Sequence, residues 1–167
     1  MIVLGVDPGT AITGYGVVRG DGRSSTLIEC GVIRTDARAP LADRLAQIFD
    51  GISALIERHR PQRLAVENAF YSKNVQTTLV LGHARGVILL AGARAGLPID
   101  EYAPAMIKKT VVGAGAATKD QVQFMTTRLL RLKTAPSPAD AADGVAAALT
   151  CLIQGSGLRV QGSELRR

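Results

Sequence analysis

Three strand-like runs crowd into the first 34 residues of this chain, at 2–7, 13–19 and 26–34. Little but turn residues lies between them: Pro8-Gly9-Thr10 first, then Gly20-Asp21-Gly22. Connections this short predict an antiparallel meander, because parallel neighbours need a crossover of about a dozen residues or more. After residue 40 the pattern changes. Leu41, Leu45, Ile48, Phe49, Ile52, Leu55 and Ile56 recur at helical spacing, and Pro61 stops that helix. Leu64 to Glu67 is a short continuous apolar run, the pattern of a strand covered on both faces. A Gly- and Ala-rich helix over 78–95 leads to a short strand at 99–102. Two more helices are expected. Thr118 and Gln121 form a capping box for the first, with Val122, Met125, Leu129 and Leu132 as its apolar stripe. Ser137-Pro138 opens the second, Ser as N-cap and Pro at the first helical position. The order βββαβαβαα predicts an α/β fold, a mixed five-stranded sheet flanked by helices, with the helix-linked strands parallel.

A chain of 167 residues with 47% hydrophobic content is long enough for one domain with a real core. We expect that domain over 1–154, followed by a flexible basic tail over 155–167, rich in Gly, Ser and Arg. Neither internal repeats nor an interdomain linker are visible. The net charge of +6 and a pI near 9.8 favour a polyanionic partner. Cys30 and Cys151 lie in apolar contexts without CxxC spacing and read as buried thiols of a reducing cytoplasm. The N-terminus lacks the basic start of a signal peptide. His83, Arg85 and Arg94 interrupt the longest apolar helix, which argues against a membrane span.

Within this frame, isolated acids occupy unusual places. Asp7 ends the first strand and Glu67 ends another, while Asp140 and Asp143 stand three apart at the start of an Ala-rich helix. Each has an ordinary explanation alone. Asp-Pro-Gly makes a good turn, a strand end can face water, and first-turn acids cap helices. Together they are three segments delivering acid to the edge of one sheet, where ligands of α/β folds bind. An acid at the tip of an apolar strand is costly without a positive partner. In a chain with few His and Cys, that partner is most simply a divalent metal held for phosphate chemistry. Two metals about 3.5–4 Å apart need several converging carboxylates, and four acids suffice.

The motifs around these acids carry a resemblance. Leu4-Gly5-Val6-Asp7-Pro8-Gly9-Thr10, Thr13-Gly14-Tyr15-Gly16-Val17, Gly31-Val32-Ile33-Arg34-Thr35, Ala65-Val66-Glu67 and Lys73-Asn74 come first. Leu81-Gly82-His83-Ala84-Arg85-Gly86, Lys108-Lys109-Thr110-Val111-Val112-Gly113 and Ala139-Asp140-Ala141-Ala142-Asp143 follow. In this order, over residues 1 to roughly Gln154, the chain resembles the RuvC family of Holliday-junction resolvases. The resemblance implies a ribonuclease H-like fold, a homodimer, and Mg²⁺ or Mn²⁺ with two ions per site. It implies paired symmetric nicking of a four-way DNA junction, leaving 5′-phosphate and 3′-hydroxyl ends. By motif match, catalytic and metal-binding roles fall on Asp7, Glu67, Asp140 and Asp143. DNA contacts fall on Lys108 and Lys119, on Phe70 as an aromatic wedge, and on Lys73 and Asn74 as phosphate holders. The resemblance also implies a RuvA–RuvB-type branch-migration partner and a dimer interface on the small-residue helix.

The residues themselves support part of this. Segment 100–135 carries six basic residues (Lys108, Lys109, Lys119, Arg128, Arg131, Lys133) against Asp100, Glu101 and Asp120, a net +3 suited to phosphate contacts. His83 has no second His at ligand spacing and reads as structural. The competing readings are an actin-like or sugar-kinase nucleotide-binding domain, a non-catalytic junction-binding module, and a nuclease for RNA–DNA hybrids. The first shares the strand–Asp–Gly–Thr loop, but a second such domain has no room in this length.

Overall fold

In the computed structural model, which describes residues 1–21, 24–68 and 75–158, the chain forms one five-stranded sheet of order β3-β2-β1-β4-β5. The strands are β1 (Ile2–Asp7), β2 (Ile12–Gly20), β3 (Ser25–Arg34), β4 (Arg63–Glu67) and β5 (Ile99–Tyr102). The helices are α1 (Leu41–His59), α2 (Val75–Arg94), α3 (Pro104–Val112), α4 (Lys119–Leu129) and α5 (Ala139–Leu158). The first three strands are an antiparallel meander, as their short turns require, and β1–β4 and β4–β5 are parallel.

Strand periodicity divides the core in two. Leu4, Val6, Leu64 and Val66 face α1 and α2, packing on Ile48, Ile52, Leu55 and Ile88. Val3 and Ala65, each one residue out of phase with those, face α5. The α1 stripe buries Ile48, Ile52 and Leu55, each worth about 1.5–3 kcal/mol removed from water. Its end is set by Arg60 at φ 45°, whose N–H bonds the Ile56 carbonyl, with Pro61 next. By length and composition α2 could cross a membrane, but Ala84, Ile88, Ala91 and Gly92 are buried against α1 and the sheet.

The face under α5 is built on small residues. Gly14 and Gly16 on β2, and Gly5 on β1, lie against the α5 backbone, and a Cβ on Gly14 would fall inside the Asp140 carbonyl. Gly144 on α5 returns the contact: its Cβ would lie 2.6 Å from Tyr15 Cα. Helix and sheet therefore touch backbone to backbone, and Ala141, Ala142, Ala146, Ala147 and Ala148 of α5 are buried, whereas Ala139 at its start is exposed.

Five expectations need correction. Helix α3 was not anticipated; it starts on Pro104 and ends at Gly113 with φ 92°. Pro138 stands at the cap of α5, not at its first helical position: its carbonyl accepts from Ala141 N at 3.0 Å, and the helix opens at Ala139. Of the expected α4 stripe, Val122 is buried and Met125 and Leu132 pack against the core, but Leu129 is exposed, Leu132 lies past the helix end, and Thr126 and Leu130 are buried in addition. Cys30 is only partly buried, whereas Cys151 is buried; both thiols are free. Helix α5 also continues through Gly155 to Leu158, where the tail was expected to begin.

Candidate active site

Register and periodicity bring the acids together. Val6 pairs with Val66, so Asp7 and Glu67 end adjacent parallel strands. Each lies two residues beyond a residue facing α5 or its neighbours (Gly5 and Ala65), so both point to the α5 side. Asp7 pairs across the meander with Gly14, the residue that abuts the Asp140 carbonyl. The glycine contact thus sets the first turn of α5 directly beside the end of β1. Asp140 and Asp143, three apart on one helical face, follow. The turn after Asp7 is held by side chains: Thr13 donates to the Gly9 carbonyl at 2.6 Å and Thr35 to the Thr10 carbonyl.

One carboxylate oxygen from each of Asp7, Asp140 and Asp143 lies within 4.8 Å of the others. Glu67 is outside that trio but close enough to act on it electrostatically. Burial, then the neighbouring charges of Glu67 and Asp143, push the Asp7 carboxyl up to about 8. Burial and the Asp143 charge push Glu67 up to about 7, while Lys119 and Lys108 oppose the rise. This is the behaviour of carboxylates gathered for a cation: hard oxygen donors, crowded, and mutually repulsive without a positive partner. The donor set fits Mg²⁺ or Mn²⁺.

A cleft beside the acids is lined by Glu67, Lys108, Lys119 and Asp143, with Ile107 and Val122. Lys108 comes from α3, so the unanticipated helix delivers a site residue the sequence had named. Lys119 is more deeply involved than a phosphate contact requires, its ammonium 2.6 Å from Asp143 Oδ2. Phe70, Lys73 and Asn74 lie outside the described residues. Exposed His83 bonds its own helix, Nδ1 lying 2.8 Å from the Leu79 carbonyl, in keeping with a structural role.

Fold and site together define a ribonuclease H-like domain with a carboxylate centre at its strand ends. A family model described as "Crossover junction endodeoxyribonuclease RuvC" matches residues 3–151. The chain belongs to the RuvC family of crossover junction endodeoxyribonucleases. A relative of that name from Halorhodospira halophila is 52% identical over 147 residues, covering 88% of this chain and 87% of its own. One from Pelotomaculum thermopropionicum is 48% identical over 149 residues, covering 89% and 91%. The solved structure of Thermus thermophilus RuvC in complex with Holliday junction substrate aligns with a TM-score of 0.90 at 34% identity, over 94% of this chain and 96% of that one.

Proposed function

We propose that this protein resolves four-way DNA junctions by paired, symmetric, metal-dependent hydrolysis of phosphodiester bonds in recombination and repair. The observation that carries the reading is the convergence of Asp7, Asp140 and Asp143 within 4.8 Å on a RuvC-family fold. Those three would hold divalent cations, Mg²⁺ or Mn²⁺, with Glu67 completing the set from β4. Such ions supply a water acidified towards neutrality and positive charge against the leaving 3′ oxygen. The chain's own contribution is placement. Asp7 and Glu67 are fixed by the sheet, Asp140 and Asp143 by a helix that cannot drift from it. Lys108 and Lys119 line the cleft and hold the phosphate backbone there through sequence-independent contacts.

Paired nicking requires two sites. Val75, Leu79, Gly82, Gly86 and Leu90 form an exposed stripe along α2 with spacings of three and four. A Cβ on Gly82 or Gly86 would meet nothing within 4 Å. Such a stripe lets a second copy's helix approach closely, and we assign it to a homodimer contact. Docking to a RuvA–RuvB-type motor, and a cytoplasmic location, are proposed on family membership and the two free thiols alone.

The test is cleavage of a labelled synthetic four-way junction with Mg²⁺, Mn²⁺ or chelator, comparing wild type with Asp7→Asn and Asp143→Asn. Symmetric paired nicks that require metal and vanish in both variants, with junction binding retained, are expected. Binding without nicking under any metal would make the protein a junction-binding module, and preference for an RNA–DNA hybrid would reassign its substrate.

A further inference from the structure

Lys119 occupies a position its helix disfavours. It is the first residue of α4, directly after the Thr118 cap, where the helix dipole repels a cation. What holds it there electrostatically is the acid cluster. Its ammonium lies 2.6 Å from Asp143 Oδ2, while 60% of the Lys119 side chain and 20% of the Asp143 side chain remain open to solvent. Asp143 therefore has two claims on one carboxylate. It is paired with a cation of this chain, and it belongs to the trio whose oxygens converge within 4.8 Å.

Both claims cannot be met at full strength. A divalent ion bound to Asp143 would stand a few ångströms from the ammonium, where like charges repel strongly in a partly buried site. The two partners differ in mobility. The Lys119 backbone is pinned by the capping box, Thr118 N donating to Gln121 Oε1 at 2.9 Å and Gln121 N donating to Thr118 Oγ1. Its four-carbon side chain is flexible and solvent-facing, and can swing without moving the helix.

We propose that Lys119 is the resident counter-ion of the carboxylate centre, neutralising Asp143 in the metal-free protein and being displaced into the cleft when a divalent cation binds. Once displaced, its three N–H donors face the space between Lys108 and Glu67, where a DNA phosphate oxygen would accept them. Lys119 thus couples metal loading to substrate binding, releasing Asp143 to the cation and turning its own charge to the DNA. The inference rests on reading the carboxylates as a metal centre.

Calorimetric titration of Mn²⁺ into the DNA-free protein at low salt tests it, using wild type, Lys119→Met, Lys119→Arg, Asp7→Asn and Asp143→Asn. Thermal melts check that each is folded. Losing the internal competitor should tighten Mn²⁺ binding by Lys119→Met about fivefold, whereas Lys119→Arg, which keeps the charge, should stay close to wild type. A purely structural role for Lys119 would move the affinity the other way. A crystal soaked in Mn²⁺ should show the Lys119 ammonium beyond hydrogen-bonding distance of Asp143. Wild-type or weaker affinity in Lys119→Met, or an ion pair that persists with Mn²⁺ bound, would overturn the proposal and leave the metal centre standing. Wild-type protein that binds no Mn²⁺, or binds it indifferently to Asp7→Asn and Asp143→Asn, would take down the metal centre and this inference with it.

Discussion

Gly144→Ala sets two physical rules against each other. In a helix interior, Gly→Ala ordinarily stabilises by about 1 kcal/mol, because alanine has less backbone freedom to lose. Here the new methyl group would sit 2.6, 2.7 and 2.8 Å from Tyr15 Cα, C and N. Ordinary carbon contacts begin near 3.4 Å, so the shortest gap is deficient by about 0.8 Å. All three neighbours are strand backbone, hydrogen-bonded within the sheet, and none can rotate away as a side chain would. The helix must move. Overpacking of this kind costs about 1–3 kcal/mol. Set against the propensity gain, the net loss is up to about 2 kcal/mol, or a fall in Tm of up to roughly 8 °C for a chain of this size. The larger effect is on chemistry, because Asp143 is the adjacent residue and is carried away from Asp7. A displacement approaching 1 Å costs on the order of 10²-fold in rate. Single-turnover cleavage of a four-way junction with saturating enzyme, below the melting range, separates this loss from unfolding. A rise in Tm of a few degrees with an unchanged cleavage rate would refute the reasoning, since that is what propensity alone predicts.

Three further outcomes are expected. Glu29 accepts a hydrogen bond from Tyr15 Oη at 2.9 Å and lies 2.7 Å from His59 Nε2. Burial works against its charge, but the Tyr15 and His59 hydrogen bonds, reinforced by charge from His59 and Arg58, hold its carboxyl below the ordinary 4.5. A depressed acid contributes stability above its unfolded-state value and loses it as pH falls through its folded one. The stability gap between wild type and Glu29→Gln, measured by urea denaturation, should therefore be full at neutral pH and close below about pH 4.5. Arg63 grips both oxygens of Asp100 at 2.7 Å, tying β4 to β5, whereas Arg58 reaches Glu29 only at 3.4 Å with 62% of its side chain exposed. Arg63→Met should cost about 1–2 kcal/mol in urea denaturation and Arg58→Met well under 1; equal costs would show that the bidentate geometry contributes nothing. Leu79→Glu, at a side chain 61% exposed in the α2 stripe, should halve the solution mass in light scattering without lowering the monomer's stability.

Much of the fold was legible because it rests on local rules. Short turns dictated the meander, and a fully apolar run ending in Glu67 revealed a covered strand. The capping box of Thr118 and Gln121 marked the start of α4 correctly. Helix α3 escaped because its buried stripe is only Ile107 and Val111, too short to register as a period. Its signal lay in the ends, Pro104 to start and Gly113 to stop, an asymmetry that could have found it. The four acids were legible as oddities, since a charge at the tip of an apolar strand is conspicuous. The pairing of Lys119 with Asp143 was not, because contact between two helices leaves no mark on either sequence segment. Gly14 and Gly16 stood out as a motif, but a glycine does not announce what lies where its side chain would be. The sequence also could not rank the acids by distance, and the structure places Glu67 outside the tightest trio.

The two faces of the sheet also differ in how they can change over time. On the α1–α2 side, Leu4, Ile48, Ile52, Leu64 and Ile88 fill the space with side-chain volume. A loss at one position can be made good by a gain at its neighbour, so that face can drift through compensating exchanges. On the other face, the seam where the first turns of α5 meet β2 is backbone against backbone, Gly14 against Asp140 and Gly144 against Tyr15. No volume is available to trade there, and no partner can shrink to admit an added methyl group. Descendants of this chain are free to exchange volume among their larger core side chains while inheriting that seam almost letter for letter, and the seam they inherit is the one that places the acids.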